Sequence, residues 1–215
     1  VSKPRSDTDK FGGFNQVAMV EPVTKWAHQV THTHQIPRLV DQAMKIARSG
    51  RPGPVFLEIP IDVLFGQVNE AAVDISDRAI EIRKAAPLAP DVKQALGLLS
   101  QAKRPIIMVG GGAALSGASK ALIEFAEGTG IPVFSNNKGH GLMPGGITDR
   151  LLPFDTKIIH VDLDAQEMGR LRETEVAMQA DCLETLREMN AVKDKYDWQD
   201  YSGWQEAVRN ARDSH

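Results

Sequence analysis

The run Pro105-Ile106-Ile107-Met108-Val109-Gly110-Gly111-Gly112 decides the class of fold, because a short apolar segment ends directly in three glycines. An unbroken apolar run of this length is typical of a buried strand in a parallel sheet. Glycines after such a strand let a ligand approach backbone N–H groups, and a helix beginning near Ser119 would favour a phosphate. A plain tight turn explains the glycines equally well. The pattern is not a P-loop, since Ala118 follows Gly117 where a P-loop has lysine.

The segments around this run alternate between helical and strand patterns. Apolar spacing predicts helices over residues 36–47, 91–99, 119–129 and 181–192, and strands over residues 55–59, 132–135 and 157–161. Such alternation predicts an α/β fold with an open parallel sheet and helices on both faces. The tail, with Trp198, Tyr201, Trp204 and Val208, predicts one further amphipathic helix.

One connection in this pattern is barely long enough for a parallel crossover. Residues 147–156 alone separate a Gly-rich loop from the next strand, and they have no helical period. A parallel crossover normally contains a helix and at least about 10–12 residues. The spacing therefore predicts that a stretch of sequence is missing between residues 146 and 147.

Composition excludes several classes of function. The net charge of -3, from 25 basic and 28 acidic side chains, gives no nucleic-acid or membrane-surface footprint. A single cysteine excludes a disulfide framework. No apolar run approaches the ~20 residues needed to cross a bilayer, and the polar start has no signal-peptide core. We expect a cytoplasmic protein, and the lack of a starting methionine suggests a fragment.

Acidic residues stand at two further junctions between elements. Asp162 follows a predicted strand, where it could accept hydrogen bonds from ribose hydroxyls or serve as a turn or cap residue. Asp181 precedes a predicted helix, and this position alone is most typical of an N-cap. Cys182 has no evident base near it and is interpreted as structural.

Three histidines, His28, His32 and His34, lie close together before a helix. They lack an HExxH spacing and a cysteine partner, so solvated side chains are favoured over metal ligands. We therefore predict no metal site.

Several segments together resemble the thiamine-diphosphate-dependent enzymes of the acetolactate synthase, benzaldehyde lyase and 2-hydroxyacyl-CoA lyase type. Residues 22–26 and 50–60 are similar to the end of their N-terminal pyrimidine-binding domain. Residues 104–112 and 130–133 resemble the start of their middle domain, and residues 157–169 a later strand and turn. The order and spacing agree across nearly the whole chain.

The resemblance implies a division of the chain. Residues 1–65 would be the C-terminal part of a pyrimidine-binding domain, and residues 66–90 a linker. Residues 91–195 would be a middle domain like those that bind FAD or ADP. Residues 196–215 would form a linker helix toward a C-terminal domain that is absent here.

The resemblance also implies site residues. Carried over by motif, the residues at an FAD or ADP would be Gly110, Gly111, Gly112, Asp162, Leu163, Asp181 and Cys182. Asp162 and Leu163 would lie at the ribose or adenine side. Phe11, Lys25 and Arg51 match positions near the family's substrate channel, although Phe11 is followed by two glycines instead of the family's Gln-Glu.

The implied parent protein is a lyase or acetolactate-synthase-like transferase. It would act on 2-keto acids, 2-hydroxy ketones or 2-hydroxyacyl-CoA, as a homodimer or homotetramer. Thiamine diphosphate and Mg²⁺ would bind outside this chain, so no catalytic residue is predicted within it. The alternative is a stand-alone FAD-, ADP- or NAD-binding module without thiamine chemistry, which would have no use for half of a pyrimidine-binding domain.

Overall fold

The structure is a computed structural model that describes residues 15–69, 71, 73, 82–135, 153, 155–170 and 172–213. The chain divides into two compact units, Val1–Arg83 and Lys84–His215. The predicted stretch missing between residues 146 and 147 lies outside the described residues.

Unit 1 is built around one pair of parallel strands, in which Trp26 lies opposite Val55. Its elements are α1 (Gln16–Val20), β1 (Trp26–Gln29), α2 (Ile36–Arg48), β2 (Val55–Glu58) and α3 (Ile61–Leu64). The predicted helix and strand are confirmed by α2 and β2. Gly50, with a φ of 52°, adopts the left-handed conformation just after α2, as expected of a glycine that ends a helix.

The core of unit 1 is small. Val30, Leu39 and Val63 are buried, and the partly buried side chains packed against them are Trp26, Ile36, Leu57 and Ile59. Leu39 lies on the same face of α2 as the buried Ala43, whereas Met44 is exposed. The helix therefore buries one stripe, as its apolar spacing predicts.

Unit 2 contains two more pairs of parallel strands. Its elements are α4 (Ala89–Gln101), β3 (Ile107–Val109), α5 (Gly111–Leu115), α6 (Ser119–Thr129), β4 (Val133–Ser135), β5 (Ile159–Asp162), β6 (Val176–Gln179), α7 (Cys182–Val192) and α8 (Ser202–Asp213). β3 pairs with β4, and β5 pairs with β6. The α/β class with parallel strands is confirmed, and the described residues arrange these strands as two separate pairs.

A larger core holds unit 2 together. Its buried residues are Val92, Ala95, Leu96, Phe125, Ile131, Val176, Met178, Met189 and Tyr201. They come from α4, α6, β6, α7 and the chain beside α6 and α8, so packing of helices on strands closes this unit. The ring of Trp198 meets that of Phe125 edge-on at 6.1 Å.

Four expectations about unit 2 need correction. The helix predicted over residues 91–99 begins earlier, at Ala89, with Pro90 in its first turn, which places Asp91 inside that turn. Met108 is 43% exposed, so β3 is not buried on both faces. Tyr201 and Trp198 precede α8. Tyr201 is anchored there by its hydroxyl, which donates to the carbonyls of Leu99 and Ala102.

The fourth concerns β6, which the sequence pattern does not indicate. Val176 and Met178 are buried and the residues after each are exposed, but the alternation lasts only four residues. Among the described residues, no helix has the length and apolar character needed to cross a membrane.

Candidate nucleotide site

The three glycines lie at the junction of β3 and α5. Gly110 is extended, with φ -116° and ψ -166°, while Gly111 and Gly112 form the first turn of α5. The prediction that they lead into the helix at Ser119 is therefore wrong, because a separate five-residue helix comes first. A Cβ atom added at Gly112 would lie 3.7 Å from Sγ of Cys182, so α5 and the start of α7 are in contact there.

Asp181 is the N-cap of α7. Its Oδ1 accepts hydrogen bonds from the backbone N–H groups of Leu183 at 2.9 Å and Glu184 at 3.3 Å. Its own N–H donates to the carbonyl of Ala85 at 2.8 Å. The side chain is only 6% exposed. The N-cap interpretation is confirmed, and the carboxylate satisfies backbone groups that the helix leaves unpaired.

Asp162 ends β5 and begins the following turn. Its Oδ1 accepts from the N–H of Asp164 at 2.8 Å, and its carbonyl accepts from the N–H of Ala180. The side chain therefore organises a turn, as the second interpretation of this residue proposed. The carbonyl of Leu163 accepts from Nε2 of Gln179 at 3.4 Å, which links this turn to the end of β6.

Lys84 is a site residue that the sequence patterns do not indicate. Its Nζ donates to the carbonyl of Ser116, the C-cap of α5, and lies 3.6 Å from Oδ1 of Asp181. It stands in the aperiodic segment that was predicted to be a linker. Its hydrogen-bond partner is 32 residues away, so no local pattern could have singled it out.

Burial and nearby charges disfavour the thiolate form of Cys182. Burial raises the pKa of Cys182 to about 11, the negative charges of Asp181 and Asp162 add to this, and Lys84 opposes it. A thiol with so high a pKa stays protonated near neutral pH and is a poor nucleophile. The structural interpretation of this cysteine agrees with that environment.

The structure thus brings four of the seven predicted nucleotide residues together around a lysine. We call this group the Lys84 cluster; its members are Lys84, Gly112, Asp162, Asp181 and Cys182. Gly110 and Gly111 adjoin the cluster along the chain, and so does Leu163.

The residues predicted for a substrate channel have different surroundings. Lys25 donates from Nζ to the carbonyls of Ile46 at 2.7 Å and Ser49 at 2.6 Å, so its ammonium group binds the C-terminal end of α2. Arg51 is exposed in the turn before β2. Phe11 lies outside the described residues. Their role in a channel stays a prediction.

The described residues show two further features, a groove in unit 2 and a pair of histidines in unit 1. A groove of about 440 Å³ runs along α4 and the later part of α7, past Val92, Glu188 and Val192. Since α7 is eleven residues long, its far end lies about 15 Å from Cys182. The rings of His32 and His34 lie 5.5 Å apart, and the described residues contain no group of three or more potential metal ligands.

Comparison with known proteins identifies the class. Residues 92–146 match the family model described as the thiamine pyrophosphate enzyme, central domain. These residues begin in α4 and include the strand and glycines that open the candidate site. The chain is similar to thiamine-diphosphate enzymes, and residues 92–146 of unit 2 match their central domain.

Similar proteins are acetolactate synthases. The large subunit from Corynebacterium glutamicum is 30% identical over 246 residues, which include 95% of this chain and 39% of that protein. The isozyme 2 large subunit from Escherichia coli (strain K12) is 28% identical over 94% of this chain and 43% of its own length. The probable large subunit from Methanocaldococcus jannaschii is 26% identical over 88% and 40%. The chain thus spans about two fifths of these relatives.

Proposed function

We propose that this chain is part of a thiamine-diphosphate-dependent enzyme that forms or cleaves a carbon–carbon bond beside a carbonyl group. Its substrates would be 2-keto acids, 2-hydroxy ketones or 2-hydroxyacyl-CoA. The observation that carries the proposal is the similarity to an acetolactate synthase over 95% of the chain. Coverage this complete includes both units, which argues against a stand-alone nucleotide-binding module.

Within that enzyme, unit 2 would bind FAD or ADP beside the Lys84 cluster. Glycines 110–112 have no side chains to obstruct a ligand at the end of β3. Asp162 uses one oxygen for the N–H of Asp164, and a carboxylate can accept about four hydrogen bonds, so a ribose hydroxyl can be added. Two carboxylates against one ammonium disfavour a phosphate here. The ribose or adenine would therefore face Asp162, and the phosphates would lie toward Gly110.

Nucleotide binding is tested by titrating the full chain with FAD and with ADP in a calorimeter. Gly112→Ala is the most informative variant. Its added methyl group makes an ordinary van der Waals contact with Cys182, so the fold should tolerate it, but it would occupy the proposed path of the ligand. We expect saturable binding that this substitution weakens about tenfold. Gly97→Ala is the matched control, because its methyl group meets nothing within 4 Å. Failure of both nucleotides to bind the unsubstituted chain would show the proposal to be wrong.

Thiamine diphosphate, when bound, supplies the carbanion stabilisation that these reactions need. The described residues do not fit the metal ion that would accompany it, since no three His, Cys, Asp or Glu side chains converge. We propose that both groups bind outside this chain. The chain supplied with thiamine diphosphate, Mg²⁺ and 2-keto acids should then show no turnover above buffer, and measurable turnover would refute this assignment.

We also propose that a stretch of the middle domain is missing between residues 146 and 147. The family match ends at residue 146. The alignment with the C. glutamicum protein runs over 246 residues, whereas 95% of this 215-residue chain is about 204, so about 40 positions have no counterpart here. Sequencing the coding DNA across this junction is the test: an additional coding stretch supports the proposal, and continuous codons for Gly146 and Ile147 contradict it.

Assembly and location are proposed on the family likeness alone. We propose a homodimer or homotetramer in the cytoplasm, as the family resemblance implies. Light scattering after size-exclusion chromatography of the full chain would contradict the first part if it gave a monomer's mass at micromolar concentration.

A further inference from the structure

Lys84 joins two helix ends of opposite polarity. Its ammonium group donates to the carbonyl of Ser116, at the C-terminal end of α5, and faces the carboxylate of Asp181 at the N-terminal end of α7. Helix C-terminal ends favour cations and N-terminal ends favour anions. One side chain therefore satisfies the first end directly and the second through its capping aspartate.

The backbone around Lys84 reinforces this arrangement. The carbonyl of Ala85 accepts a hydrogen bond from the N–H of Asp181 at 2.8 Å. The segment before α4 is thus attached to the cap of α7 by two neighbouring residues, one through its side chain and one through its main chain. The position of Lys84 is therefore fixed relative to the start of α7, and Lys84 in turn fixes the end of α5 relative to it.

The first turn of α5 contacts the start of α7 where Gly112 meets Cys182. Sγ is 3.7 Å from the position of a Cβ atom at Gly112, and no polar interaction joins these two residues. A single van der Waals contact between a glycine and a thiol is weak and non-directional, so directional polar contacts fix the position of α5 more closely. Within the described residues of the cluster, the polar contacts that join α5 to the start of α7 are those of Lys84.

We propose that Lys84 is the positioning residue of the nucleotide site, because it holds the glycines of α5 against the start of α7. This inference rests on the proposed nucleotide binding for its functional meaning. The structural part, that Lys84 fixes Gly112 against Cys182, can be tested without any ligand.

Cys182 provides a site-specific reporter, since the chain has one cysteine. The two possible roles of Lys84 change its alkylation by iodoacetamide in opposite directions. If Lys84 were only a neighbouring charge, Lys84→Met would raise the pKa of Cys182 further and slow the reaction. If Lys84 positions α5, the same substitution lets α5 open and uncovers the thiol, so the reaction becomes faster.

The experiment measures alkylation rates of the full chain under native conditions between pH 8 and 9.5. We expect Lys84→Met to react about tenfold faster, the change that about 1.4 kcal/mol produces in an equilibrium. Lys84→Arg should restore the rate to within about threefold, because guanidinium can make the same two contacts. Lys103→Met is the matched control, an exposed lysine before β3 at the end opposite the glycines. An unchanged or slower rate in Lys84→Met would overturn the proposal.

A second variant guards against a failure to fold. Asp181→Asn retains an oxygen that can cap α7 but removes the charge opposite Lys84. Because losing this charge also lowers the pKa of Cys182, the rates are compared after division by the thiolate fraction taken from the pH profile. The corrected rate should still increase by a smaller factor than in Lys84→Met, with an unchanged far-ultraviolet circular dichroism spectrum. A corrected rate equal to that of the unsubstituted chain would count against the bridge between the two helices.

Calorimetric titration with ADP then separates the two proposals. If the unsubstituted chain binds ADP, Lys84→Met should bind about tenfold more weakly and Lys84→Arg within about threefold. Equal affinity in Lys84→Met would refute the positioning role in binding. If the unsubstituted chain binds neither ADP nor FAD, the proposed site is wrong, and the alkylation rates still decide whether Lys84 positions α5.

Discussion

The two units use the same kinds of element but differ in what they bury. Both contain parallel strands with helices beside them. Unit 1 buries Val30, Leu39 and Val63, whereas unit 2 adds an aromatic centre around Phe125. The exposed side chain of Phe65 in unit 1, at 78%, is larger than any of the three buried ones. Similar element order therefore does not imply similar stability.

Each unit also has a lysine at a helix C-terminal end. Lys25 binds two carbonyls at the end of α2 and is exposed. Lys84 binds one carbonyl at the end of α5 and faces a buried carboxylate. In the first case this capping chemistry binds the end of a helix, and in the second it lies among the predicted nucleotide residues. The two lysines differ in that Lys84 also faces the buried carboxylate of Asp181.

The largest expected effect separates the two cores. Phe125→Ala removes a side chain that is 1% exposed and packs edge-on against Trp198. We expect a loss of about 3–5 kcal/mol in the free energy of unfolding, from lost burial and the cavity left behind. Leu39→Ala in unit 1 should lose about 2–3 kcal/mol, because a small core relaxes more easily around the gap. Urea denaturation measures both.

Ile123→Ala is the control for Phe125, since Ile123 lies on the same helix and is 56% exposed. It should change the free energy of unfolding by less than about 0.5 kcal/mol. Equal losses for Phe125→Ala and Leu39→Ala would show that the contrast between the cores has no energetic meaning.

The next effect concerns the cap of α7. Asp181→Ala removes the acceptor for two backbone N–H groups and should cost about 1–2 kcal/mol in the free energy of unfolding. Asp181→Asn should cost less, because asparagine caps helices about as well as aspartate and only the interaction with Lys84 is lost. Thermal or urea unfolding compares them, and an equal cost for both would assign the effect to charge instead of capping.

Periodicity explains which parts of the fold could be predicted. The amphipathic helices α2, α6 and α7 are each eleven residues or longer, so their spacing is unambiguous. The strands β1 and β6 are four residues each, Trp-Ala-His-Gln and Val-Ala-Met-Gln, and include polar or small side chains that weaken the alternation. Both strands were missed for this reason.

In the candidate site, the residues that could be predicted are those whose contacts are local in the sequence. The N-cap role of Asp181 was predictable because a cap depends on residues only two or three positions away. Lys84 was not, because its contacts with Ser116 and Asp181 exist only after α5 and α7 have packed. The contacts of Lys25 with Ile46 and Ser49 were not predictable either, because they span 21 and 24 residues, and its place in a substrate channel stays a prediction.

Lys25→Met tests the exposed cap of unit 1. Two charged hydrogen bonds to the end of α2 are lost, but solvent exposure reduces their worth, so we expect about 0.3–1 kcal/mol in the free energy of unfolding. Lys25→Arg is the matched variant and should retain most of this. Gly53→Ala should have a related effect, because its Cβ would lie 2.9 Å from Cδ of Lys25 and displace that side chain. Full stability in Lys25→Met would mean that the cap contributes nothing.

The smallest expected effect, at pH 9, is a pH dependence of stability that arises from Cys182, the chain's single cysteine, which lies in unit 2. Burial holds the folded-state pKa of Cys182 at about 11, above the ordinary value of 9.0. Below pH 9 both states keep the thiol proton, and this contribution to stability is fully present. Between pH 9 and 11 the unfolded state releases the proton first, so stability falls as pH rises.

The variant Cys182→Ser lacks this contribution. Subtracting its free energy of unfolding, measured by urea denaturation, from that of the unsubstituted chain removes the contributions of the other titrating groups. At pH 9 the difference should be well under about 1 kcal/mol and should grow toward pH 10.5. A difference that stayed constant over this range would show that the Lys84 cluster does not keep the thiol out of water.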